Sequence, residues 1–270
     1  MSFYTSLNGM KNAQTDLGVI AHNIANVDTN GFKKSTTQFA DIVVGSAQVN
    51  PRMVQGIGAR LESITQNFAL GPVEQTGSAL DMAITGDGFF ATRSTESGRT
   101  LYTRNGAFSR DELGYVQDGS NNRLQVMPTD SAGVITSTTP VDALVPAANA
   151  AGSSFAGLTV GSDGRVTASY ADGSFDVIGT VALAAFNSPT GLKQVGSSNW
   201  EATSISGAAL FGQAGSGQYG QIQSGALERS NVDIAEELVG LITAQRAFQA
   251  NAKAIDTATQ ISQTVINLRT

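Results

Sequence analysis

A chain of 270 residues with a formal charge of −6 can bury a substantial core and has room for more than one domain. It contains no cysteine, which excludes disulfides, thiolate metal sites and cysteine nucleophiles. The acidic balance, with Lys33-Lys34 as the only adjacent basic pair, argues against a nucleic-acid partner.

The chain opens on an amphipathic helix. Phe3, Leu7, Met10, Ala13, Leu17, Ile20, Ile24 and Val27 recur at alternating intervals of three and four, the seam of a coiled coil. Gly9 and Gly18 lower the helix propensity of this segment by about 1 kcal/mol each relative to Ala. Gly31 can take a left-handed conformation just past the helix, with Phe32 turning back onto Val27 in a Schellman-type ending. Residues 31–70 then read as a connecting arm, with a Gly- and Pro-containing stretch between Gly45 and Gly58.

Between the helices the hydrophobic period falls to two. Arg60–Thr65 and then Leu80–Ile84, Phe89–Thr92, Thr100–Arg104, Tyr115–Gln117, Arg123–Val126, Gly164–Tyr170 and Ser174–Leu183 read as short strands. Hairpin-type turns separate them at Gly86-Asp87-Gly88, Asn105-Gly106, Asp118-Gly119, Asp163-Gly164 and Asp172-Gly173. Pro140–Ser154 is rich in Ala, Gly, Pro and Ser and reads as a linker. The expectation is a main β domain from 71–139 and 196–230, and a small outer β module at 140–195.

A second amphipathic helix closes the chain, with Ile234, Leu238, Leu241, Phe248, Ala252, Ile255, Ala258, Ile261, Val265 and Leu268 along its stripe. Asp233 is placed to cap its first turn, Glu236 to reach back, and Glu237 to favour the positive end of the helix dipole. At 1.5 Å per residue the terminal helices are roughly 35 to 55 Å long. Each stripe represents roughly 10 kcal/mol or more that is gained only when a partner covers it. Two helices paired with each other cover one side only. The reading is therefore an α+β protein whose terminal segments, 1–30 and 231–270, pair as a coiled coil and order when neighbouring subunits pack on them. The alternative is an ordinary helical hairpin folded onto its own domain. The candidate self-assembly residues are Leu7, Met10, Leu17, Ile20, Ile24, Val27, Leu238, Leu241, Phe248, Ile255, Val265 and Leu268.

Chemistry is sparse. His22 is the only histidine and lies off the stripe, so no Ser-His-acid triad or histidine metal cluster can form within one chain. Gly56-Ile57-Gly58 lacks the third glycine of a dinucleotide loop. Asp118-Gly119-Ser120-Asn121-Asn122 lacks the glycine and glutamate of an EF-hand and reads as a turn. Asp111 and Glu112 are neighbours on a turn. No enzyme class, cofactor or metal is indicated. No window has the 18 or so apolar residues that span a bilayer, and the start has no basic region followed by an apolar stretch, which by itself reads as cytoplasmic unless a dedicated export apparatus is used.

Specific residues carry a resemblance. Leu17-Gly18-Val19-Ile20-Ala21-His22-Asn23-Ile24-Ala25-Asn26-Val27-Asp28-Thr29-Asn30-Gly31-Phe32-Lys33-Lys34 resembles the N-terminal signature of the flagellar rod and hook protein family. Ser230–Leu238, Ala244–Phe248 and Asn251-Ala252-Lys253 are similar to the other end of that family. Leu80–Ile84, Gly86–Phe90 and Tyr102–Phe108 match inside, whereas about Pro128 to Trp200 does not match by motif. Within the family the opening Met1-Ser2-Phe3, Phe39-Ala40-Asp41 and Ile64–Phe68 look like hook subunits. Total length and Ala235-Glu236-Glu237-Leu238 look like distal rod subunits. The resemblance implies a non-enzymatic subunit of the flagellar hook that polymerises into a helical tube and transmits torque, with the distal rod of the basal body as the alternative. It also implies unfolded export by the type III apparatus, and contacts with rod proteins, hook-filament junction proteins and a hook cap. No membrane insertion is implied.

Overall fold

The computed structural model describes residues 2–44, 55–130 and 133–267. The fold is α+β. Two long helices, α1 (Ser2–Ala25) and α2 (Ile234–Asn267), bracket a chain that is otherwise mostly β-strand. It divides into two compact units. One comprises residues 1–27, 34–67 and 232–270, and the other 28–33 and 68–231.

In the first unit α1 and α2 run antiparallel. Gly9 lies opposite Asn251, Ile20 opposite Gly240, and the Asn23 amide bonds to Glu237, with equal spacing along both helices. Gly9 is where the helices approach closely: a Cβ there would lie 2.6 Å from the Asn251 Oδ1. Its low helix propensity is thus offset by packing, whereas a Cβ on Gly18 would meet nothing. Asp233 caps α2 as its sequence position suggests, its carboxylate accepting from the amides of Ala235 at 2.8 Å and Glu236 at 3.3 Å.

The arm is a correction. Residues 34–67 form a long antiparallel hairpin, β1 (Ser35–Val44) and β2 (Gln55–Gln66), packed beside α1. Asn12 donates to the Ala59 carbonyl at 2.9 Å, and the Thr37 hydroxyl bonds the Asp16 carboxylate. Bulges opposite Gln38/Phe39 and Ile42/Val43 leave Glu62 and Ile57 as extra residues on β2, and the strand read at Arg60–Thr65 lies within β2. Of the Gly45–Gly58 stretch, residues 45–54 lie outside the described residues.

The second unit is built on an antiparallel sheet. Its strands run in the order Phe155–Val160, Arg165–Tyr170, Phe175–Val181, Asn122–Met127, Phe89–Ser94, Thr100–Thr103, Asn199–Glu201 and Lys193–Gly196. The central strands are buried on both faces. Phe90, Leu124, Val126 and Leu183 enter one apolar cluster, while Phe89, Ala91, Met127 and Ala184 enter the other. Trp200 is fully buried in the second cluster, with its ring 5.6 Å from Phe68 and 5.8 Å from Phe89.

Residues 140–195 are not a separate module. Thr180 and Val181 pair with Met127 and Val126, and Leu183 pairs with Phe90 at the centre of the sheet. The Ala- and Pro-rich composition of 140–154 reflects short connections whose Ala143 and Val145 are fully buried in the shared core.

Candidate self-assembly surface

The Asn23 side chain, 1% exposed, joins α1 to the hairpin and to α2 at once. Its amide donates to the Ser35 carbonyl at 2.8 Å and to Glu237 Oε2 at 3.2 Å, and its Oδ1 accepts from the Ser35 amide at 3.0 Å. Side chain and strand thus bond as two strands would. Lys34 is 2.9 Å from Glu236 and 3.3 Å from Glu237. Partial burial disfavours its charge, but the bonds and charges of the two glutamates outweigh that and raise its pKa above the ordinary lysine value. Glu236 therefore serves Lys34, which is a correction to its expected role in a capping box.

Beside this clasp lies an open groove whose apolar lining is Val19, Ile20, Phe39, Val239 and Gly240, with Asp16 and Lys34 among its polar residues. The sequence-predicted residues divide by environment. Ile20 is buried, and Leu7, Met10, Leu17, Ile24, Leu241, Phe248 and Ile255 are half-buried. Leu238 and Val265 are exposed, and Leu268 lies outside the described residues. Val27 is a second correction. The helix ends at Ala25, and Val27 sits half-buried in the following turn, its amide bonded to Ile24.

The structure adds exposed apolar residues that the three-four stripe omits: Val239 at 66% exposure, Ile242 and Ile266. For Val239 and Ile242 the signal is the run Leu238-Val239-Gly240-Leu241-Ile242, and for Ile266 the pair Val265-Ile266, each apolar on more than one side of a helix and therefore with more than one face to cover. The register of the pair carries the start of α1 to about Ala258 of α2, so Ile261, Val265 and Ile266 lie beyond the reach of α1.

A third correction concerns Gly31, which belongs to the second unit. Its φ of +66° is the left-handed conformation expected, but its amide bonds the Glu228 carbonyl at 2.8 Å instead of closing the helix. A Cβ at this position would lie 2.4 Å from the Asn105 amide nitrogen, so glycine is required sterically as well as conformationally. Nearby, Lys33 Nζ meets Glu228 Oε1 at 2.5 Å and donates to the Ala69 carbonyl at 2.8 Å. Glu228 also accepts from the Gly71 amide at 3.0 Å and from Arg104 Nη1 at 3.4 Å. Both Lys33 and Glu228 are fully buried, so two cations share one anion away from water.

Three family profiles match the chain: "Flagella basal body rod protein" over residues 3–33, "Flagellar hook protein FlgE/F/G D1 domain" over 83–168, and "Flagellar basal body rod FlgEFG protein C-terminal" over 223–268. The flagellar basal-body rod protein FlgG of Bacillus subtilis is 37% identical, covering 99% of this chain and 98% of that protein. The chain belongs to the flagellar rod and hook protein family. FlgG of Agrobacterium fabrum is 32% identical over 95% of both chains. The flagellar hook protein FlgE of Salmonella typhimurium is 28% identical over the whole of both chains, in an alignment 411 residues long. This is a family of structural proteins of the flagellum, not of enzymes. Of the clasp residues, Asn23 lies within the first terminal profile match and Glu237 within the last, and Lys34 directly follows the first.

Proposed function

We propose that the chain is a rod-type axial subunit that polymerises through the α1–α2 pair, with the helices in coiled-coil contact across copies. The observation that carries this reading is the apolar surface left open at both ends of α2, Leu238, Val239 and Ile242 near one end and Ile261, Val265 and Ile266 near the other. Side chains of this kind release about 1.5 to 3 kcal/mol each when fully covered, which favours association of copies over an isolated monomer. Leu7, Met10, Leu17, Ile24, Leu241, Phe248 and Ile255 keep half-exposed edges that a neighbouring helix would complete.

Rod over hook is favoured by length and by the second unit. The alignment with the Bacillus FlgG spans 280 residues and that with the Salmonella FlgE 411, against 270 in this chain. Residues 140–195 share one sheet with the rest of the unit, so no detached outer module is left to form hook-like surface contacts. A hook subunit remains the second reading, because the hook relative aligns end to end. Either assignment implies rod or hook neighbours along the axis, a cap or junction protein at the growing end, and export by the type III apparatus.

The test is assembly of Val239→Asp and Val265→Asp. Both sites are largely exposed, so monomer stability should change by less than about 0.5 kcal/mol while sedimentable polymer disappears. Polymer formed by both variants at the wild-type concentration would overturn the reading. Electron microscopy of a knockout separates rod from hook, since loss of a hook subunit leaves complete rods without hooks and loss of a rod subunit leaves the rod itself incomplete.

A further inference from the structure

The second unit carries a cationic notch. Arg93 and Arg123 are direct partners on adjacent antiparallel strands, so their side chains leave the same face of the sheet about 5 Å apart at Cβ. Like charges so placed repel, and only Asp142 lines the notch with opposite charge. Its carboxylate is already committed on both oxygens, Oδ2 accepting from Arg123 Nη1 at 3.1 Å and Oδ1 from Gln125 Nε2 at 2.6 Å. Arg123 is further fixed by the Tyr115 ring, 3.6 Å from its guanidinium carbon, and its Nε is shielded from water without a hydrogen-bond partner. Arg93 is exposed and forms no ion pair among the described residues, and Glu96 on the adjoining turn forms none with either arginine. Ser94, Thr95 and Gly98 complete the wall of a cavity of about 220 Å³, ample for a carboxylate and the stem that carries it.

We infer that this notch receives the carboxylate of an acidic side chain from a second copy of the chain. The inference rests on the polymer reading above. Two guanidinium groups facing one space match a carboxylate in geometry as well as charge. A chain of net charge −6 carries more carboxylates than cations and presents several exposed carboxylates without an ion pair, Glu62, Glu112 and Asp256 among them. The neighbour's carboxylate thereby relieves the repulsion between Arg93 and Arg123.

Carbodiimide cross-linking of the Arg93→Lys variant tests this directly, because an amine at this site couples to a carboxylate in contact with it. In polymer, an intermolecular amide at position 93 is expected by mass spectrometry. In dilute monomer it should be absent. Arg93→Gln should raise the critical concentration of assembly about 3- to 10-fold and weaken its dependence on salt. If wild-type polymer forms but position 93 couples to nothing, or only within its own chain, the notch assignment fails and the polymer reading stands. If the wild-type chain forms no polymer under any condition, both fail. A rise in the monomer melting temperature with inorganic phosphate that Arg93→Gln abolishes, without an intermolecular cross-link, also overturns the second-copy occupant and assigns the notch to a free anion.

Discussion

Replacing Glu228 by Gln keeps the shape of the side chain and removes the anion that bridges Lys33 and Arg104. Breaking a buried ion pair from one side costs about 3 to 5 kcal/mol, because the remaining charge stays out of water. Here two cations are left, so the upper part of that range is expected, a large share of the roughly 5 to 15 kcal/mol that holds a typical domain together. Lys33→Met should behave differently. It removes the contact with Glu228 and the 2.8 Å bond to the Ala69 carbonyl, but Glu228 keeps Arg104 and the Gly71 amide as a charge-matched set, so about 1 to 2 kcal/mol is expected. Trp200, the single tryptophan, is fully buried in the same unit, and its fluorescence in a urea titration reads that unit alone. A loss below about 1 kcal/mol for Glu228→Gln, or a larger loss for Lys33→Met than for Glu228→Gln, would refute the charge count.

The same site has a pH signature: burial holds the Lys33 amine below the ordinary lysine value near 10.5, against the opposing pull of Glu228. The unfolded chain then binds more protons in the window below 10.5, so stability should rise with pH toward that value, and the rise should be smaller in Lys33→Met when both are followed by Trp200 fluorescence. Gly31→Val places a β-branched residue at φ +66° against the Asn105 backbone, and a loss above about 3 kcal/mol in the same titration is expected; a near-neutral result would mean the turn can move. Asn23→Ala removes the buried bonds to both backbone groups of Ser35 and leaves Glu237 with Lys34 alone, and should cost the helix unit about 2 to 3 kcal/mol, seen as earlier loss of far-ultraviolet circular dichroism with the Trp200 transition unchanged.

The terminal helices and the Asp233 cap were legible because each rests on a local pattern, a period or a single capping residue. Most strands of the second unit were legible for the same reason, since Phe89 and Phe90 alternate between two apolar clusters. What stayed hidden depends on distant partners. Arg60–Thr65 was read as a strand, but nothing local shows that it pairs with Ser35–Val44, and composition at 140–154 cannot reveal that Leu183 pairs with Phe90. Asn23 was quoted in the family signature, yet its role needs Ser35 and Glu237 beside it. Arg93 and Arg123 are thirty positions apart in a chain without basic runs, and only strand pairing makes them one cluster.

The helix unit is assembled from three separated stretches, and the last begins only at Val232, after the whole of the second unit has been written. A polypeptide cut short before Asp233 retains the residues of the β unit, including Glu228, but leaves Asn23 without Glu237 and Ile20 without Gly240. Under the polymer reading proposed above, such a product can fold its β-strands and still lacks the helical partner of α1, so it would not join a growing structure.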